Sequence, residues 1–218
     1  MAATKAQQIG IWTIAIVMTI GTLGSFAVMI LQNSNQGSDK ARLTELTTAY
    51  QTKHTQYQAK VDAQTAALSA KYFSEFNQYA TQPAVFDKPS VTELKTEDLK
   101  VGDGAEMTAT SSFTAYYLGW TPDGKVFDGS IDVDKLKAPI AASPGGVIAG
   151  WTEGVVGMKV GGARVLTIPS DKAYGETGSG ETIPANTPLK FVIMIIPTPE
   201  TIPEPQPSAE LLKLYQAQ

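Results

Sequence analysis

The chain has 218 residues, 43% of them apolar and 17% charged, which suits one sizeable folded domain with extensions and excludes a disordered chain. Its formal net charge of −4, from 17 basic and 21 acidic residues, offers no basic stripe for a phosphate backbone, so nucleic acid is not an expected partner. The absence of cysteine excludes disulfides, thiol nucleophiles and thiolate metal sites, and the single histidine, His54, lies among polar helix formers and reads as a solvated surface residue.

After an N-terminal tail of residues 1–9, positions 10–31 (GIWTIAIVMTIGTLGSFAVMIL) carry no charge. At about 1.5 Å per residue such a run crosses a bilayer core of roughly 30 Å, which predicts a transmembrane helix. A cleaved signal peptide is the competing reading. The run exceeds an h-region of about 7 to 15 residues, and no small-x-small site follows it, so an uncleaved anchor is expected. Lys5 precedes the span while Lys40 and Arg42 follow it, leaving the positive-inside count nearly balanced.

Residues 38–80 contain no glycine or proline and are rich in Ala, Gln, Lys, Thr and Leu, which predicts a long helix ended by Pro83. Its apolar residues, Leu43, Leu46, Tyr50, Tyr57, Val61, Leu68, Tyr72 and Phe76, recur close to the straight-helix period. Residues 32–84 therefore read as a helical stalk or docking segment, with a face that suits a partner helix or self-association.

Beyond it, Gly, Pro and Asp punctuate short runs rich in β-branched and aromatic residues, and residues 85–198 read as the folded domain. SSFTAYYLGW places Phe113, Ala115 and Tyr117 on one face. Pro122, Asp123 and Gly124 then turn the chain into KVFD as a hairpin. Strands are expected over 164–168 and 189–196. The second alternates Leu189, Phe191, Ile193 and Ile195 with Val192, Met194 and Ile196, so it reads as a central strand covered by a helix on at least one side. A short helix is expected over 151–158, with Trp151, Val155 and Met158 on one face. Gly154 and Gly157 give it poor propensity, so packing on the sheet must hold it. The fold class is α+β, an antiparallel sheet wrapped around one short helix. Residues 199–218 read as a Pro-rich linker with a short helix near 208–215.

The domain has no nucleophile elbow, phosphate-cradling glycine loop or metal-ligand spacing. Its aromatic residues Tyr117, Phe127, Trp151, Tyr174 and Phe191 lie on different elements. They could line a concave apolar pocket or simply fill a core. Asp128, beside Gly129, has a turn-capping carboxylate as its plain alternative reading.

Three segments, YYLGWTPDGKVFDGS, GGVIAGWTEGVVGMKVGGARVLTIPSDKAYG and IPANTPLKFVIMI, closely resemble the FKBP-type peptidyl-prolyl isomerases, over about half the chain. The resemblance implies an antiparallel sheet of about five strands curled around a helix, with a proline-binding pocket between them. It implies Trp151 as the pocket floor and Tyr117, Phe127, Val147, Ile148, Ala173, Ile183 and Phe191 as its lining. By the same resemblance Asp128 and Tyr174 are the polar, catalytic pair. Tyr174 and the Ile148 N–H would meet substrate carbonyls, and Asp128 would lie near the twisted amide. The sequence departs from the family at PIAASPGG, where Ile140 is the only large side chain, and at Thr182 before Ile183; both thin the pocket rim.

The expected function is prolyl isomerisation assisting protein folding at or outside a membrane, without cofactor or metal, on proline-containing polypeptide substrates. The alternatives are a non-catalytic module that binds proline segments and a membrane-anchored scaffold working through its helix. A short tail before one span resembles the anchored folding factors of the bacterial envelope, which implies a single-pass protein with the isomerase domain outside.

Overall fold

The stretch without glycine or proline forms α1 (Gly37–Asn77) in the computed structural model, which describes residues 37–216. A 3-10 turn over Gln78–Thr81 tightens its end ahead of Pro83, as expected. Along its first half, the hydroxyls of Thr44, Thr48, Thr52 and Thr55 each donate to the carbonyl four residues back, so these side chains are satisfied by the helix itself.

Gln64–Glu200 forms one compact unit. Its strands are β1 (Lys95–Lys100), β2 (Phe113–Trp120), β3 (Val126–Gly129), β4 (Ile131–Asp132), β5 (Lys135–Leu136), β6 (Ile140–Ala142), β7 (Ala163–Ile168) and β8 (Leu189–Ile196). The main sheet is antiparallel in the order β1-β7-β8-β2-β3, with β6 also paired to β2, while β4 and β5 make a separate small hairpin. The β2–β3 turn falls at Pro122-Asp123-Gly124, where Gly124 adopts a φ of 81°. β1 reads KTEDLK, a charged edge strand with almost no apolar signal.

β8 lies at the centre and is buried on both faces. Leu189, Phe191, Ile193 and Ile195 enter one apolar cluster with Trp151, Val155 and Met158. Val192, Met194 and Ile196 enter a second cluster with Tyr116, Leu118 and Trp120, and its cover is the end of α1: Phe76 with Leu68, Tyr72 and Phe73. The last turns of α1 therefore belong to the domain's own core. The apolar face expected to serve a partner is, from Gln64 onward, used within the chain.

The short helix α2 is Ala149–Gly154, ending earlier than the expected 158. Trp151, Val155 and Met158 are nonetheless all buried in one cluster. Two features stop the helix. Gly157 turns the chain at a φ of 78°, and Arg164 takes the freed carbonyls, its Nη1 donating to Gly154 O and Val156 O at 2.9 Å each. The same guanidinium forks onto Asp98 of β1 at 2.6 and 3.2 Å. α2 lies so close to β7 that a Cβ on Gly150 would stand 2.3 Å from Ile168 Cγ2. Glycine lowers helix propensity here and makes the packing possible.

The other unit comprises, among the described residues, 37–63 of α1 and 201–216. The tail is more than a linker. Its helix α3 (Ala209–Gln216) is capped by Ser208 Oγ, which accepts from Leu211 N–H at 3.1 Å, and Arg42 forks onto Glu210 at 2.7 and 2.8 Å. Leu43, Thr47 and Leu211 are buried. His54 also departs from expectation: it is buried at 7% exposure between the rings of Tyr50 and Tyr57, at 6.2 and 5.8 Å.

The span expected over 10–31 lies outside the described residues. Among those described, no helix is long and apolar enough to cross a membrane; α1 has the length but carries charges throughout. The expected placement as a single-pass membrane protein with an extracytoplasmic domain is corrected accordingly: no described helix supports it.

The packing of α1 on the sheet is testable. Phe76→Ala should cost about 3–5 kcal/mol, read as a lower urea midpoint of the full chain. Tyr116→Phe should leave the midpoint unchanged or raise it, because the buried Tyr116 hydroxyl has no hydrogen-bond partner. Burial, with a smaller effect of Tyr72, pushes the Tyr116 pKa up to about 12. Above pH 10 the unfolded chain loses a proton that the folded one keeps, so wild-type stability should fall from there more steeply than that of the variant.

Candidate functional site

The candidate site residues gather at the first cluster. Trp151, on α2, is 4% exposed and forms a floor bracketed by three aromatic rings. Phe113 stacks on it at 6.5 Å, while Tyr117 and Phe191 meet it edge-on, each at 5.3 Å. Phe127, from β3, stands edge-on to Phe191 at 5.5 Å. Such edge-to-face contacts fix ring planes as well as positions, so the cup has defined walls.

The residues expected from the sequence converge. Trp151, Ile183 and Phe191 are buried in this cluster, and Tyr117, Phe127, Val147, Ile148, Ala173 and Tyr174 pack on it half-buried. Alternation along β2 explains the placement of Tyr117, which faces α2 with Phe113 and Ala115 while Tyr116 and Leu118 face α1. Ile183 is held by a bridge to Ser179 across the turn that follows Tyr174. The Lys172 ammonium donates to Glu153, tying the turn before Tyr174 to α2.

Asp128 lies exposed at the mouth. Its carboxylate accepts the Tyr117 hydroxyl and, through Oδ1, the Gly129 N–H at 2.8 Å, so it acts as a turn cap and faces the pocket at once. Burial pushes the Tyr117 pKa well up, and its hydrogen bond to Asp128 pushes it further; burial and then Asp128 also raise that of Tyr174. Both phenols therefore stay protonated as donors at neutral pH. The Ile148 N–H, just before α2, donates to no backbone carbonyl among the described residues. The Trp151 indole N–H is buried without a partner as well.

Two contributors were not assigned to the site from the sequence. Phe113 sits four residues before Tyr117 on the same strand face, a spacing that could have revealed it. Gly119 of β2 allows the Phe127–Phe191 pair to close over the strand, for a Cβ there would lie 2.5 Å from Phe191 Cε1 and 2.7 Å from Phe127 Cζ. In the segment over 139–146, Ile140 is half-buried and packs on the cluster.

An antiparallel sheet closed on a short helix, with an aromatic cluster between them, defines an α+β domain. The pattern of the FKBP-type peptidyl-prolyl cis-trans isomerases matches residues 104–196. An FK506-binding protein of Neisseria meningitidis serogroup A is 42% identical over 100 residues, which make up 46% of this chain and 91% of that protein. A probable FK506-binding protein of Corynebacterium glutamicum is 41% identical over 110 residues, 50% of this chain and 89% of that one. A solved peptidyl-prolyl cis-trans isomerase of Pseudomonas syringae pv. tomato shares 31% identity, covers 61% of this chain and 94% of its own, and superposes with a TM-score of 0.43. The chain belongs to the FKBP-type peptidyl-prolyl cis-trans isomerases and is an enzyme of that type.

Two outcomes follow from the geometry. Ionisation of the two pocket tyrosines should lag the ordinary tyrosine pKa of 10, so near-ultraviolet absorbance should show their titration only at higher pH, and turnover should not change through them between about pH 6 and 9. Gly119→Ala should displace Phe127 or Phe191, costing about 1–3 kcal/mol of stability and weakening peptide binding, both measurable by urea melts and titration.

Proposed function

We propose that this isomerase assists protein folding by binding X–Pro segments of polypeptides in the aromatic cup and twisting the amide without covalent chemistry. The observation that carries this reading is the Trp151 floor with the Tyr117–Asp128 contact at its mouth, an apolar receptor for a proline ring beside a small polar pair. Rotation about X–Pro must overcome about 18–20 kcal/mol of lost resonance, and no covalent bond is made or broken. A twisted amide carries a less polarised carbonyl than a planar one. A dry site that strips water from that carbonyl therefore disfavours the planar ground state relative to the transition state.

In this reading Trp151 receives the prolyl ring, with Phe127, Val147, Ile148, Ala173, Ile183 and Phe191 excluding water around it. The protonated Tyr174 hydroxyl and the Ile148 N–H hold flanking carbonyls in place, so rotation is confined to one bond. Asp128, oriented by Tyr117, faces the amide being twisted. Along the chain, residues 85–198 would carry the catalytic elements and residues 32–84 the helical segment that leads into them.

The test is protease-coupled isomerisation of an apolar-X–Pro peptide by the full chain. Asp128→Ala combined with Tyr174→Phe should lower kcat/KM by about tenfold or more with the fold intact, corresponding to at least about 1.4 kcal/mol of transition-state stabilisation. Trp151→Ala should weaken peptide binding and lower stability together. Wild-type turnover in the double variant would remove the assignment of the polar pair.

A further inference from the structure

Building on that assignment of Asp128 and Tyr117, we infer that Ser69 of α1 is a positioning residue for isomerisation, holding the backbone that carries the Asp128 carboxylate. Ser69 differs from the threonines earlier in the helix. Where those turn their hydroxyls onto the helix's own carbonyls, Ser69 Oγ accepts the Leu136 N–H at 2.8 Å, a buried bond between elements 67 residues apart in sequence. Ser69 is itself buried at 7% exposure.

Leu136 ends the β4–β5 hairpin that directly follows Asp128 and Gly129, and it pairs with Ile131. Its side chain is buried in the cluster that contains Phe76 and Tyr116, so both its backbone and its side chain are fixed by what α1 provides. The next residue carries the connection back towards the site. Lys137 N–H donates to Ser130 O at 2.8 Å, and Lys137 Nζ donates to Gly129 O at 3.0 Å. Ser130, 2% exposed, clasps Tyr117 on both sides: its N–H donates to Tyr117 O at 2.8 Å, and its Oγ accepts the Tyr117 N–H at 3.0 Å. Tyr117 then donates its hydroxyl to Asp128.

A series of hydrogen bonds and peptide links thus runs from the long helix to Tyr117 and Asp128. Removing the Ser69 hydroxyl leaves a buried N–H without an acceptor, which the hairpin can relieve only by moving. That movement is transmitted to residues 128–130, where a misplacement of about 1 Å is enough to cost catalysis. The Trp151 floor and the walls from residues 147–191 lie on the opposite face of the sheet, and the perturbed segment bears on the mouth, so the effect should appear far more in turnover than in substrate affinity.

The experiment compares full-chain wild type with Ser69→Ala, Ser69→Thr, Val165→Ala and Asp128→Ala, at a temperature where circular dichroism shows each folded. Peptide Kd and kcat/KM are measured for each. Ser69→Ala should lose about fivefold or more in kcat/KM, the lower range of couplings between sites, with a far smaller change in Kd. Ser69→Thr, which keeps the hydroxyl, should restore most of the turnover. Val165→Ala removes bulk from the same α1-facing cluster away from the hairpin, and should lower the unfolding midpoint without changing turnover. Should Ser69→Ala fail to fold, Ser69→Cys, a weaker acceptor of similar size, gives the same comparison. Wild-type turnover in Ser69→Ala or Ser69→Cys, with Asp128→Ala impaired, overturns the positioning role alone. Wild-type turnover in Asp128→Ala overturns the site assignment on which it rests.

Discussion

An eight-residue strand with large apolar side chains on both faces cannot leave either face in water, and β8 imposes that constraint on this domain. One face recruits α2 and with it the tryptophan floor. The other recruits the last turns of α1. The pocket therefore depends on two covers of different origin, one formed by a six-residue helix with poor intrinsic propensity and the other by the end of a long, good helix former. The first would not hold its conformation without the strand it packs on.

α2 also illustrates how a weak element is made rigid. Its glycines let it approach β7, and Arg164 spans from Asp98 to the carbonyls at the helix end, so a single guanidinium locks β1, β7 and α2 together. Replacing half of such a partly buried pair would leave a charge without its partner, a costlier loss than the pair's net contribution. The brace thus fixes the end of the helix that carries Trp151.

What the sequence revealed follows the strength of local signals. Alternation made β2 and β8 legible, the Pro-Asp-Gly turn marked the hairpin, and of the ten candidate residues implied by the resemblance nine pack in or on one cluster while Asp128 bonds to Tyr117. β1 was not legible because an edge strand that avoids aggregation is written in charged residues, and β4 to β6 are too short to show a period. α2 ends before the expected 158 because Gly157 turns the chain and Arg164, on the next strand, takes the freed carbonyls. The role of α1 was missed for a related reason: its stripe shows that one face is apolar, but not what covers it. His54 was read as solvated because its neighbours in sequence are polar, whereas its neighbours in space are Tyr50 and Tyr57.

The unit formed by residues 37–63 and 201–216 is discontinuous, with the whole isomerase domain inserted between its halves. Gln64 and Glu200, where the chain enters and leaves that domain, are joined by a hydrogen bond from Gln64 Nε2 to Glu200 O at 2.8 Å. This imposes an order on biosynthesis. The first half of α1 leaves the ribosome with Leu43, Thr47 and His54 uncovered, and it acquires Glu210 and Leu211 as neighbours only after the sheet between them has been translated. A chain ending at residue 200 would keep every strand of the sheet and both covers of β8 while leaving Arg42 and Leu43 without Glu210 and Leu211, so loss of the tail would be felt in the outer helix pair first.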